Sequence, residues 1–193
     1  MTPPKLDRHL NSAMEHLQQL KKHLINLLDG RGAHLEFEEA VKDFPRKLCG
    51  AKPDGAPHTA WQLLEHMRIA QWDILEFSRS AKHVSPKWPE GYWPESESPP
   101  SDKAWEKSIQ QFRQDLEEMK HLLKKATEEQ LYACIPHGDG QTLLREILVL
   151  ADHNSYHLGQ LMYLRKTVEG SEVKRKMHHQ GHKEHEGSAL GPL

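Results

Sequence analysis

The sequence predicts an all-α fold, a four-helix bundle, and three observations carry that prediction. Four segments of several turns each place apolar residues at alternating spacings of three and four, which collects them on one helical face. No segment shows a comparable alternation of apolar and polar residues, the mark of a half-buried strand. The connections between the four segments carry the prolines and glycines that break regular structure. Stripes of similar length bury one another most simply in a bundle.

The first stripe runs Leu6, Leu10, Ala13, Leu17, Leu20, Leu24 and Leu27, and stops at Asp29-Gly30, where glycine supplies a left-handed cap. The second opens with Thr59-Ala60-Trp61-Gln62, a capping-box pattern, and continues through Leu63, Met67, Ala70, Ile74, Phe77 and Ala81. Ser101 or Asp102 caps the third, whose stripe is Trp105, Ile109, Phe112, Leu116, Met119, Leu123 and Ala126. The fourth spans Thr142 to Val168, with Leu143, Ile147, Leu150, Asn154, His157, Leu161, Leu164 and Val168 on one face.

The connections are unequal. The first, Arg31 to His58, is too long for a hairpin and can cross the length of the bundle, with a short helix expected within Phe37–Phe44. The second, Val84 to Pro100, mixes five prolines with Trp88, Tyr92 and Trp93, so it is expected to pack and to cover one bundle end. Residues 1–168 are read as one bundle domain, and 169–193, polar and rich in histidine and lysine, as a disordered tail.

The charge balance, 26 Lys and Arg against 28 Asp and Glu, creates no field that favours nucleic acid or a membrane surface. The start has no apolar core behind a basic head, and no run approaches the roughly 18 apolar residues of a spanning helix, so a cytoplasmic protein is expected. Cys49 and Cys134 lack a CxxC partner and are expected as free thiols. Trp61, Arg68 and Trp72 fall opposite the second helix's stripe. That patch is expected either to make a homodimer contact or to lie under the first connection.

Chemistry concentrates on histidine. His153 and His157 stand one turn apart on the fourth helix, His157 in the middle of its apolar face and His153 on its edge, close enough to share one ion. His66 lies on the corresponding edge of the second helix and can converge with them. Three neutral imidazoles leave at least one coordination position for water or substrate, as catalytic sites do. Zinc suits such a donor set, and nickel, cobalt and ferrous iron accept it too. The bland alternative is that each is an ordinary core-edge histidine bonded to a carbonyl or carboxylate, since the chain holds 15 histidines and chance pairs arise.

Other candidates carry weaker patterns. Asp73, two turns after His66 on the same edge, can orient a ligand histidine or a metal-bound water. Asn154, between the two histidines, needs a buried partner. Glu65 and Asp152 project to the far side. His9, His16 and His23 line the edge of the first helix at intervals of about 10 Å along the axis, too far apart to chelate together, although one of them can reach the site. His178, His179, His182 and His185 have chelating spacing but no scaffold. The fourth helix lacks the glutamate of a His-Glu-x-x-His protease, so a metalloprotease is not expected.

Two stretches carry a family resemblance. Pro57-His-Thr-Ala-Trp-Gln-Leu-Leu-Glu-His-Met-Arg-Ile-Ala-Gln-Trp-Asp-Ile-Leu-Glu-Phe77 and Asp152-His-Asn-Ser-Tyr-His-Leu-Gly-Gln-Leu161 resemble the second and last helices of the DinB-like four-helix metal-binding proteins. The resemblance covers roughly residues 5 to 168 and leaves the tail without a counterpart. It implies an up-down-down-up bundle in which His66 joins His153 and His157 around one divalent ion, zinc or nickel foremost. Relatives in the wider superfamily include thiol-dependent transferases and a thiol-dependent isomerase. The resemblance therefore implies a small-molecule electrophile as substrate and a low-molecular-weight thiol as co-substrate. A metal-dependent hydrolase and a non-catalytic, stress-associated metal-binding protein are the alternatives.

Overall fold

The computed structural model describes residues 5–187, with side chains described at 12 and from 14 to 174. Among these residues the chain forms α1 (Lys5–Leu28), α2 (Phe37–Val41), α3 (Ala60–Arg79), α4 (Asp102–Lys125), α5 (Glu128–Tyr132) and α6 (Leu143–Gly187), with single 3-10 turns at Arg46–Leu48 and Glu90–Tyr92 and no strand. The helix ends follow the local chemistry. Thr59 Oγ1 accepts from the Gln62 amide at 3.2 Å while Gln62 Oε1 accepts from the Thr59 amide at 3.1 Å, closing the capping box of α3. Ser101, rather than Asp102, caps α4 by accepting from the Ala104 amide at 3.2 Å. Gly30, at φ +71°, turns the chain after α1 as expected.

The four long helices form an all-α bundle in which α3 and α1 each pack against both α4 and α6. Its interior divides into two apolar clusters. Leu63, Leu64, Met67, Trp105, Phe112, Leu158 and Leu161 fill one, and Leu24, Leu75, Met119, Leu123, Ile147 and Leu150 the other. Between them runs a polar rung: Asn154 Nδ2 donates to Gln71 Oε1 at 3.0 Å, and Gln71 Nε2 donates to the Phe112 carbonyl at 2.6 Å. These bonds offset part of the cost of burying two amides, and the histidines described below leave the same two helices near the same level.

Both long connections pack; the first carries its short helix where expected, and the second departs from expectation. The first contains the short helix α2, which lies against α6, and Phe37 stacks on Phe112 at 4.0 Å. Arg165 of α6 donates to the carbonyls of Ala40 and Lys42 at 3.0 and 2.7 Å, fastening this connection to the bundle. The second does not cover a bundle end. It runs along α3, where Tyr92 reaches both Asp73 and His66.

The tryptophan patch expected on the outer side of α3 is not exposed. Trp61 is only 5 % accessible and belongs to the core, and its amide donates to the Cys49 carbonyl of the first connection at 2.9 Å. Trp72 is half-buried, edge-on to His83 at 5.0 Å. The first connection thus covers Trp61, one of the two outcomes expected of this patch, while Arg68 and Trp72 stay half-buried.

The last helix is also longer than its apolar stripe. It continues from Val168 to Gly187, and residues 188–193 lie outside the described ones. Glu169, Glu172 and Lys174 are good helix formers and no proline intervenes before Pro192. Arg165 Nε holds Glu169 at 2.9 Å across one turn, and Lys47 pairs with Glu172. Among the described residues no helix is long and apolar enough to cross a membrane. Cys49 is buried, Cys134 is exposed, and both are free thiols.

Candidate metal centre

His66 leaves α3, and His153 and His157 leave α6, so that one nitrogen from each lies within 4.8 Å of the others. The spacing predicted from the sequence is thereby realised across two helices. His66 is 2 % and His157 9 % accessible, while His153 is half-buried. The nearest pair is His66 Nε2 and His153 Nε2, 3.1 Å apart.

Hydrogen bonding on the outer nitrogens sets which nitrogens are bare. The carbonyl of Tyr92 can only accept, so His66 Nδ1 carries a proton and donates to it at 3.0 Å, leaving Nε2 with its lone pair. His157 Nδ1 donates to Gln160 Oε1 at 2.8 Å, leaving its Nε2 likewise bare. His153 Nδ1 and Asn154 Oδ1 are both buried without a hydrogen-bond partner. No hydrogen bond therefore fixes the proton of the His153 ring, whose Nε2 faces the bare His66 Nε2.

This donor set fits a divalent cation. Two lone pairs facing each other at 3.1 Å repel unless a cation or a proton lies between them. Imidazoles sharing one tetrahedral ion at about 2.0–2.1 Å stand roughly 3.3 Å apart, close to that separation. The outer nitrogens of His66 and His157, bonded to a carbonyl and an amide oxygen, also match the usual support of metal-binding histidines.

Burial keeps the rings neutral. Desolvation is the main cause that lowers all three, to about 4 for His66 and for His153, with neighbouring imidazoles adding a smaller push. Unfolded histidines titrate near 6.5, so between pH 6.5 and 4 the unfolded metal-free chain binds more protons than the folded one. The stability tied to these neutral rings is complete above pH 6.5 and lost as the pH falls toward 4. The metal-free protein is therefore expected to melt progressively lower from pH 6.5 to 5, and His153→Gln is expected to flatten that slope; equal slopes in the two proteins would contradict it.

Aromatic rings brace the centre. Trp93 is stacked between His66 and His58, with centroids 3.8 Å apart on both sides and only 2° between the Trp93 and His66 planes. Tyr156 stands edge-on to His157 at 4.8 Å. Sequence reading missed His58, Tyr92, Trp93 and Gln160. Gln160 was accessible in principle, three residues beyond His157 and so one turn above it. No periodicity extends to the loop residues.

Asp73 does not touch the histidine cluster. Its Oδ2 accepts from the Tyr92 hydroxyl at 2.5 Å and its Oδ1 from His83 Nε2 at 2.7 Å. The carboxylate therefore acts on His66 through Tyr92, by anchoring the strand of backbone whose carbonyl fixes that ring. Burial and the Asp73 bond both raise the Tyr92 hydroxyl's pKa, so it remains protonated and able to donate. Glu65 is engaged by Arg68 and by Ser108 of α4, and Asp152 is exposed, so neither joins the centre. His16 and His23 are exposed on α1 and supply no fourth ligand; the side chains of His9, His178, His179, His182 and His185 lie outside the described ones.

No curated protein and no solved structure is similar to the chain at a significant level. The sequence pattern of the DinB superfamily matches residues 31–161, a span that includes both connections, α3, α4 and the three histidines of the centre. Because that span exceeds half of the 193 residues, the chain belongs to the DinB superfamily.

Proposed function

We propose that the protein binds one divalent ion, zinc or nickel, through His66, His153 and His157, and is a metal-dependent enzyme of thiol S-transfer to a small electrophile. The observation that carries this reading is the convergence of three neutral imidazoles within 4.8 Å, two of them with the outer nitrogen bonded. When bound, such an ion lowers the pKa of a thiol or water that shares it.

The chain's own groups favour an external thiol. Cys49 is packed in the core with its thiol pushed up to about 11 by burial, which makes it a poor nucleophile. Cys134 lies beyond α5, bonded toward Gly140 and away from the histidines. Hydrolysis would need a proton acceptor at the site, and Asp73 is committed to Tyr92 and His83 on both oxygens. His66 holds its ring through Tyr92, and Trp93 shields one face of that ring from water.

Metal analysis and a conjugation assay test the proposal together. One ion per chain is expected, retained when the chain ends after Lys174, with metal-dependent conjugation of a low-molecular-weight thiol to 1-chloro-2,4-dinitrobenzene that His153→Ala abolishes. A protein that holds the ion but turns over neither this electrophile nor an activated ester would be a metal-binding protein without catalysis. A protein that holds none would remove the proposal altogether.

A further inference from the structure

A cleft of about 340 Å³ lies between the Pro53–His58 stretch of the first connection and the outer face of α6. Its size falls in the range of small-molecule sites. Pro57, Leu63, Tyr163 and Leu164 form apolar walls, and Gln160 and His58 present polar groups. These last two tie the cleft to the histidine centre. Gln160 Oε1 holds His157, and His58 stacks on Trp93, which stacks on His66. None of the three candidate ligands lines the cleft itself.

We infer that this cleft is the binding site for the body of the electrophilic substrate, a neutral small molecule with an aromatic or branched apolar group. This assignment rests on the reading of the histidine centre as a metal-dependent site. Three features select that ligand class. The walls offer apolar surface on two sides, and Tyr163 keeps a ring 76 % exposed at the mouth, where an aromatic ligand can cover it. The one carboxylate in the lining, Asp54, is exposed and opposes an anion, while no lysine or arginine lines the cleft to attract one. Gln160 and His58 stand on the side of the centre, so a ligand seated on the apolar walls directs its other end toward His157.

The test uses the neutral fluorescent probe N-phenyl-1-naphthylamine on the full chain, with metal content measured in parallel. Saturable binding at one site per chain is expected. Thr167→Trp, which fills the cleft from α6, is expected to weaken it by about tenfold or more, and the exposed Tyr163→Ala severalfold, with circular dichroism and metal content unchanged. The anionic probe 8-anilinonaphthalene-1-sulfonate is expected to bind about tenfold more weakly. Absence of saturable binding, or equal binding by wild type and both variants, would overturn the site, and equal affinity for the anionic probe would overturn the ligand class. Probe binding by a chain that holds no ion would sink the metal reading and leave the cleft standing; a metal-loaded chain without probe binding does the reverse.

Discussion

His66→Ala is expected to lower divalent-metal affinity by two to three orders of magnitude while the bundle remains helical. A structural zinc site of four ligands provides about 10–16 kcal/mol, or roughly 3 kcal/mol per ligand, which corresponds to about a hundredfold or more. His66 is the sole contribution of α3 to the cluster, so its loss leaves two ligands on one helix and opens the side facing Trp93. Competition titration against a chromophoric chelator reads the affinity, and far-ultraviolet circular dichroism reads the fold. Because His66 is buried and stacked, the half-buried His153→Ala serves as the second variant. If both keep wild-type affinity in a folded protein, the ion is not held by this cluster.

Tyr92→Phe is expected to weaken metal binding by about 10–100-fold without removing any ligand, the usual cost of losing a group that orients a ligand histidine. The phenol oxygen is the only part removed, and it joins the second connection to Asp73 at 2.5 Å. Without it the Tyr92 carbonyl is less firmly placed 3.0 Å from His66 Nδ1, and the bond that keeps Nε2 bare is weakened. Asp73→Asn should behave alike, since an amide can accept from only one of the two donors, Tyr92 and His83. The readout that separates positioning from general destabilisation is a double-variant cycle on metal affinity. Tyr92→Phe in the Asp73→Asn background should cost little more than either change alone. Additive losses would show that the two side chains act independently.

Much of this architecture is legible in the chain alone because its cause is local. Thr59 and Gln62, three residues apart, close a capping box wherever a helix starts between them, and four apolar stripes need one another to escape water. His153 and His157 share a face because a helix turns once every 3.6 residues, and that period holds without reference to any other part of the fold. Their convergence with His66 was an extrapolation from matching stripe edges. It holds because α3 and α6 pack face to face.

What local pattern could not reveal lies in the connections and beyond the apolar stripe. Nothing in Pro86 to Pro94 announces that Tyr92 will supply a carbonyl to His66, or that Trp93 will lie between His66 and His58, because irregular backbone has no period to read. The route by which Asp73 reaches His66 is hidden for the same reason: its edge position follows from the helical period, but its partner Tyr92 comes from a loop 19 residues on. For Trp61 and Trp72 a helical wheel leaves open what covers them, and only the folded first connection shows that Trp61 lies against it. The sequence by itself determined the helices, their buried faces and the three candidate ligands, since these follow from periodicity and capping. Tertiary structure alone decided the bonds that leave the imidazole nitrogens bare, the cleft beside them and the burial that keeps the rings neutral, since each depends on groups brought together from distant parts of the chain.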